Sequence, residues 1–541
     1  MRIKTKNLRI FLAMILFTAF TTDFFCQNKE YLITSFGAVN DGVTNNSLAI
    51  QKAINEAAAN GGGKVIVTAG NFATGVIFLK SNVELHLELG ARLLGSVKRK
   101  DYDNHVSLAL IVAKDQMNIS ITGDGIIDGQ APELMKDVFL MLADGTLSDP
   151  QWKFKRPTEA SRPKLIEFIN CRKVFLTGVT IKNSTNWVQN FSKCSDVVID
   201  KIKVESTTYW NNDGIDISDC KNVKITNCFV NSTDDGICLK SEDPEDFCDN
   251  IYIADCTIRS SASAFKIGTA SKGGFKNVKV RNLTIYDTYR SAIAIECVDG
   301  GVLENIDIEK VSAKNTGNAI FIRLGNRNEN KNPGSLKGVR IANLRAEIPL
   351  RKPDLGYPFE GPPDYLRYRY IKSSKERPDL GYPFIGQPTY PYNLIPSSIV
   401  GIPGYDIKDI TLENIEIIFE GAGNKDVAKI DLDSLSKVPE KTADYPEFSM
   451  FGELPAWGFY VRHAEGIKMK NLKMSYKEFD FRPAMVFDDV KNIDLDGIEI
   501  QTGKELPIIL FNNTGKKSLK SIKLPVELDN GIKEQNINAG K

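Results

Sequence analysis

The chain has 541 residues, an apolar fraction of 42%, a charged fraction of 25% and a formal net charge of +1. These are the proportions of a globular protein with ample core. A near-neutral chain has no global field with which to gather nucleic acid or an acidic membrane surface, so any charged ligand must be recognised by a local group of side chains.

At the N-terminus Arg2, Lys4, Lys6 and Arg9 precede a short apolar run ending near Cys26. That run is too short to span a bilayer and has the shape of a secretory leader. Residues 1–26 are therefore expected to be a signal peptide, with a lipid anchor on Cys26 as the weaker option. The mature protein is expected to be exported to the periplasm, the cell surface or the medium, with no later membrane span. Next, "NNSLAIQKAINEAAANGGG" places Leu48, Ile50, Ile54, Ala57 and Ala58 at helical spacing between an Asn/Ser cap and a glycine stop.

From residue 170 onward one unit recurs: "NCRKVFLTGVTI", "KCSDVVIDKIKV", "DCKNVKITNCFV", "DNIYIADCTI", "FKNVKVRNLTI" and further copies to "VKNIDLDGIEI". Its leading apolar residues are Val174, Val197, Val223, Ile251, Val278, Ile306, Val339, Ile410, Ile467 and Ile493. Each unit alternates apolar with polar at strand period, and neighbours from 174 to 306 lie 23 to 28 residues apart. No unit of that size buries its own apolar face, so successive units must stack. The expected fold is all-β, a right-handed parallel β-helix over 27–541 forming a single domain, with the helix near residue 50 capping the exposed strand edges of its N-terminal end. Eight cysteines follow Cys26, several at equivalent positions of successive units, and they read as small stacked core residues rather than bridges. Between about 345 and 405 the repeat lapses into a Pro/Tyr-rich insertion containing "PDLGYPF" twice, which either shapes a groove or decorates a loop.

A second frame also recurs: Asp213-Gly-Ile-Asp-Ile, Asp235-Gly-Ile-Cys-Leu, Ser263-Ala-Phe-Lys-Ile, Ser291-Ala-Ile-Ala-Ile, Asn318-Ala-Ile-Phe-Ile and Trp457-Gly-Phe-Tyr-Val. Its third and fifth residues point inward, so the fourth and sixth face outward, and side chains at equal positions stack in columns on successive coils. One column reads Asp216, Cys238, Lys266, Ala294, Phe321, Tyr460; another reads Ser218, Lys240, Gly268, Glu296, Arg323, Arg462. Asp213 and Asp235 share a third column, and Asp234 adds another carboxylate beside them. "DDG" alone is an ordinary turn sequence. Two copies in register put three carboxyls together, which must raise at least one pKa and set an acid beside bases, the equipment of glycosidic hydrolysis.

At these residues the chain resembles glycoside hydrolase family 28, the pectin-cleaving polygalacturonases: "NNDGIDIS" resembles that family's Asn-x-Asp-Gly motif, and "TDDGICLKS" its Gly-Asp-Asp motif with the strand lysine. The resemblance implies hydrolysis of α-galacturonosyl linkages with inversion, Asp234 as general acid, Asp213 and Asp235 activating water, and Asn211 and Lys240 holding the site and sugar. It implies a pectic polysaccharide or oligosaccharide as partner, no cofactor or metal, and a monomer. Two family motifs are replaced, Gly-His-Gly by Ala262-Ser263-Ala264 and Arg-Ile-Lys by Ala294-Ile295-Glu296. Lys266, Glu296, Arg323, Arg462 and His463 are the candidates for sugar contact in their stead, with Trp187, Tyr209, Trp210 and Tyr289 as candidate stacking platforms. Altered subsites leave a decorated pectic glycan such as rhamnogalacturonan open as substrate. A polysaccharide lyase using Ca²⁺ and a basic residue, or a glycan-binding scaffold without catalysis, are the alternatives from other classes.

Overall fold

In the computed structural model the structure describes residues 29–152, 157–328, 332–350, 353, 393–421, 431–452, 454–501 and 507–537. The leader and most of the Pro/Tyr-rich stretch lie outside the described residues.

Every repeat read from the sequence becomes a coil, and each leading apolar residue pairs with the next in parallel register. Val174 lies opposite Val197, Val197 opposite Val223, Val223 opposite Ile251 and Ile251 opposite Val278. The series runs on through Ile306, Val339, Ile410, Ile467 and Ile493. The chain is thus a right-handed parallel β-helix. A coil carries three strands: Ser195–Asp200, Lys203–Ser206 and Ile215–Ser218 pair respectively with Lys221–Thr226, Phe229–Ser232 and Ile237–Ser241 on the next coil.

Two left-handed bends punctuate each coil. The first is at Asn222, Asn250, Asn277, Asn305 and Asn492, and the second at Asn227, Asn282, Asn343, Asn414 and Asn471, all with φ between 52° and 59°. Asparagine tolerates that region because its short amide bonds locally, and here the amides also stack: Asn250 Nδ2 donates to Asn222 Oδ1 at 2.9 Å and Asn471 Nδ2 to Asn414 Oδ1 at 2.9 Å. Between bends, the inward residues form one continuous core of buried Ile, Val, Leu and Phe, each worth roughly 1.5–3 kcal/mol of transfer free energy. Cys171, Cys194 and Cys220 stack within it, and all eight described cysteines are buried free thiols.

The N-terminal end is capped by a helix, α1 (Ser47–Ala59), which lays Ile50, Ala53, Ile54 and Ala57 on the first coil. Leu48, placed by its spacing on the inner face, is instead 85% exposed. Asn46 spends its side chain on Val39 and Ala73 rather than on the helix N-terminus. A second helix, α2 (Ala131–Asp144), packs Met135, Val138, Phe139 and Leu142 against Trp152, Tyr209 and Trp210. Tyr209 and Trp210 are therefore core groups rather than open sugar platforms.

The repeat resumes earlier than its sequence suggests. Ser397–Val400 is a third strand, with Phe321 opposite Ser398 and Ser398 opposite Tyr460. A further excursion, of which residues 431–452 and 454–458 are described, precedes the strand that starts at Phe459.

Candidate active site

The site is built on the third strand of each coil. Its outward column runs Asn190, Asp216, Cys238, Lys266, Ala294, Phe321, Ser398, Tyr460 in register. In the next column Glu296 lies opposite Arg323, while a shift between Leu239 and Ser241 takes Gly268 out of line with Lys240.

Asp213 and Asp235 enter this strand on neighbouring coils, held by a Gly214 N–H bond to the Asp235 carbonyl at 2.8 Å. The glycine after each aspartate is needed for that approach. A Cβ on Gly214 would meet Val230 Cγ1 at 2.4 Å and the Gly236 carbonyl at 2.6 Å. On Gly236 it would meet Ile258 Cγ2 at 2.4 Å. Asp-Gly is thus a packing requirement that also fixes a carboxylate at the mouth of the strand. Asp213, Asp234 and Asp235 come together, each contributing an oxygen within 4.8 Å of the others.

Their surroundings differ. Lys240 Nζ reaches Asp213 Oδ2 and Asp216 Oδ1, both at 2.9 Å. Lys266 Nζ reaches Asp235 Oδ2 at 3.0 Å and Glu296 Oε2 at 3.6 Å, and Glu296 also accepts from Thr269 Oγ1 at 2.8 Å. Asp235 Oδ1 accepts the Ser263 N–H at 3.1 Å. Asp234 is the half-buried member; Asn211 Nδ2 lies 3.4 Å from its Oδ2, and Asn211 is fixed from behind by Arg162 Nη2 at 2.8 Å. Asp213 Oδ1 is buried without a protein partner.

Electrostatics separate the three. Burial is the largest influence on Asp213 and outweighs Lys240, while the charges of Asp216, Asp234 and Asp235 push the same way, so its pKa is raised. Burial likewise lifts Asp216 to about 6 against the pull of Lys240. Burial also opposes ionisation of Asp235, but Lys266, Lys240 and Arg290 together prevail and hold it below the usual range. Of the two, Asp235 is thus the readier to ionise and Asp213 the more basic. Carboxyls outnumber the cations Lys240, Lys266 and Arg290 here, and the neighbouring aspartates reinforce burial in raising Asp213.

Lys240 and Lys266, expected to meet sugar, are both buried against carboxylates, which raise their pKa values despite desolvation. Trp187, half-buried, lies under Lys164 and Lys240 at 4.8 and 4.6 Å from its ring centre, beside the site.

Arg323, Arg462 and His463 fall elsewhere, and their expected place in an open groove is corrected. Beyond Lys266 the outward column turns apolar, and Ala294, Phe321, Val400, Tyr460, Val486 and Leu510 are covered by Leu435, Val438, Phe448, Phe451 and Leu454 of the excursion 431–454. Arg323 is fully buried beneath it, donating to the carbonyls of Gly401 at 2.8 Å, Glu440 at 2.7 Å and Lys441 at 3.0 Å. Arg462 pairs with Glu440 at 2.6 Å and Asp488 at 3.2 Å, and His463 with Asp489 at 2.7 Å and Glu440 at 3.2 Å. These three side chains fasten a strap. Its far end reaches the site, with Tyr445 Oη 3.3 Å from Lys266 Nζ and Glu447 Oε2 3.6 Å from Arg290 Nη2. Neither the strap nor Arg290 is singled out by the sequence reading; the apolar drift of the outward column from Ala294 onward was the available signal for the strap.

The family model for glycosyl hydrolases family 28 matches residues 61–347, more than half of the chain. The chain belongs to glycosyl hydrolase family 28. An exo-poly-alpha-D-galacturonosidase of Dickeya chrysanthemi is 27% identical over 50% of this chain and 53% of its own length. A probable polygalacturonase of Vitis vinifera is 26% identical over 56% and 58%. The family 28 chain therefore spans about half the length of these curated relatives. Among solved structures, an exopolygalacturonase from Thermotoga maritima (24% identity) superposes with a TM-score of 0.56, covering 73% of this chain and 88% of that one. A family 28 exopolygalacturonase from Yersinia enterocolitica (18%) gives 0.56 over 93% and 80%. Both share the β-helix.

Proposed function

We propose that the protein hydrolyses α-galacturonosyl linkages of pectic chains, with inversion, from a chain end. The observation that carries this reading is the meeting of Asp213, Asp234 and Asp235 on two adjacent coils, in surroundings that raise the pKa of Asp213 and lower that of Asp235. Asp234, the member that opens toward solvent, donates a proton to the leaving oxygen. Asp213 and Asp235, each anchored by a lysine, hold and deprotonate the attacking water. The carboxyls stand closer than the roughly 6.5–9.5 Å usual for inverting pairs. Inversion is nevertheless favoured here because two fixed carboxylates offer one water two acceptors, whereas a nucleophile needs only one.

The strap supports action at a chain end. A groove for a long polymer needs an open polar face on both sides of the carboxylates, and beyond Lys266 that face is filled by Phe448, Phe451 and their neighbours. Lyase chemistry is disfavoured by the state of Lys240 and Lys266: each is held charged between carboxylates, so neither serves as the base that takes an α-proton. A leader at 1–26 and an extracellular polymer as substrate fit together. The test is incubation with oligogalacturonides and observation of the products by proton NMR. Single galacturonate units released first as the β-anomer support the reading. An α-anomer first, unsaturated products absorbing in the ultraviolet, or no product contradicts it.

A further inference from the structure

The basic pair that family resemblance places at 294 and 296 is here Ala294 and Glu296, and the lysines and arginines nearest the carboxylates are committed elsewhere. Lys240 serves Asp213 and Asp216, Lys266 serves Asp235 and Glu296, and Arg323 and Arg462 are buried under the strap. Arg162 supports Asn211, Thr185 and Trp210.

Arg290 is different. Its N–H bonds the Ala262 carbonyl at 2.9 Å, and Asp234 N bonds the Asn212 carbonyl at 3.5 Å, so the position one residue before the shared Asp/Ser column reads Asn212, Asp234, Ala262, Arg290 on four coils. The acid and the arginine thus stand in one column, two coil spacings or ~9.6 Å apart along the backbone, with only an alanine between them. The Arg290 side chain is 23% exposed, its only ion pair among the described residues is the 3.6 Å approach to Glu447, and its Nε is buried with no hydrogen-bond partner among them. A planar fork with spare donors, one alanine away from the acid, suits a carboxylate.

We propose that Arg290 receives the uronate carboxylate of the sugar adjoining the cleaved bond, taking over from the absent basic pair and making this site selective for free over esterified galacturonate. The proposal rests on the hydrolytic reading above. When substrate enters, its carboxylate displaces Glu447 from the guanidinium, and the strap is part of the subsite.

The experiment compares the parent, R290Q and R290K on trigalacturonate and on its methyl ester, with melting curves to confirm folding. R290Q is expected to lose about 10- to 100-fold in kcat/KM on the free acid, chiefly through KM, and to lose the preference for acid over ester. R290K, keeping charge but not the fork, should fall between. A preference in R290Q within about threefold of the parent's would overturn the proposal. A second arm, calorimetric titration of galacturonate and galactose into D234N and D234N/R290Q, needs no turnover. It supports the proposal if the second change removes preference for galacturonate and refutes it if that preference persists. No hydrolysis by the parent sinks the hydrolytic reading, and the calorimetric arm still decides Arg290's role as a carboxylate receptor.

Discussion

At the scale of single residues, the central relation is two buried carboxyls sharing one ammonium. Asp213 and Asp216 both meet Lys240, and both have raised pKa values, Asp216 to about 6 from 3.8. A carboxyl whose folded pKa exceeds its unfolded one binds its proton better when folded, so stability is present at low pH and falls as pH rises from about 4 to about 6, by up to ~3 kcal/mol for Asp216. Removing the Asp216 charge relieves Asp213 of a like charge and leaves Lys240 to it alone. Asp216→Asn should therefore shift the acidic limb of the kcat/KM profile to lower pH. A pH–rate series on both proteins checks this, and an unmoved limb or a shift to higher pH counts against the triad. The meeting of Asp213, Asp234 and Asp235 was legible in the sequence because two turn motifs recur in register. Arg290 was not: it precedes the recurring frame, and only the stack reveals that it shares a column with Asp234.

Among the elements, the alternation that marks a strand also tells which side chains face outward, and the columns through Asp216, Lys266 and Phe321 follow from it. Alternation says nothing of what then covers an outward face. Arg323 and Arg462 do point outward as read, yet the excursion 431–454 seals them. Phe451 packs over the Arg323 guanidinium at 5.1 Å. Phe451→Ala should cost roughly 3 kcal/mol and loosen the closed end, so that products from long oligogalacturonides shift from single units toward mixtures, as chromatography of the early digest would record. The bends offer a separate check. Lys310 occupies the second left-handed position with φ 60°, where Asn282 and Asn343 stand on the coils before and after it. Lys310→Asn should stabilise the protein by about 0.5–1 kcal/mol, seen as a higher melting temperature; a lower one contradicts the account of the bends.

For the molecule as a whole, one solenoid core carries both stability and site, since the coil-to-coil register that stacks Val197 on Val223 also sets Asp213 beside Asp235. The fold was readable because ten repeats declare their period, and the lapse near 397 was misread because a single short strand, Ser397–Val400, carries too little alternation to stand out. The buried thiols lend cohesion by packing rather than by cross-links, so reductant should leave the melting temperature unchanged within about 1 °C; a marked drop would mean bridges form. The most direct test of the central claim is the initial rate of trigalacturonate hydrolysis by the parent and by Asp213→Asn, Asp234→Asn and Asp235→Asn at one pH. Each substitution should lower kcat by about 10²- to 10⁴-fold with the fold intact. A parent without activity, or any one of the three variants retaining more than about a tenth of the parental rate, would contradict a site in which all three carboxyls act.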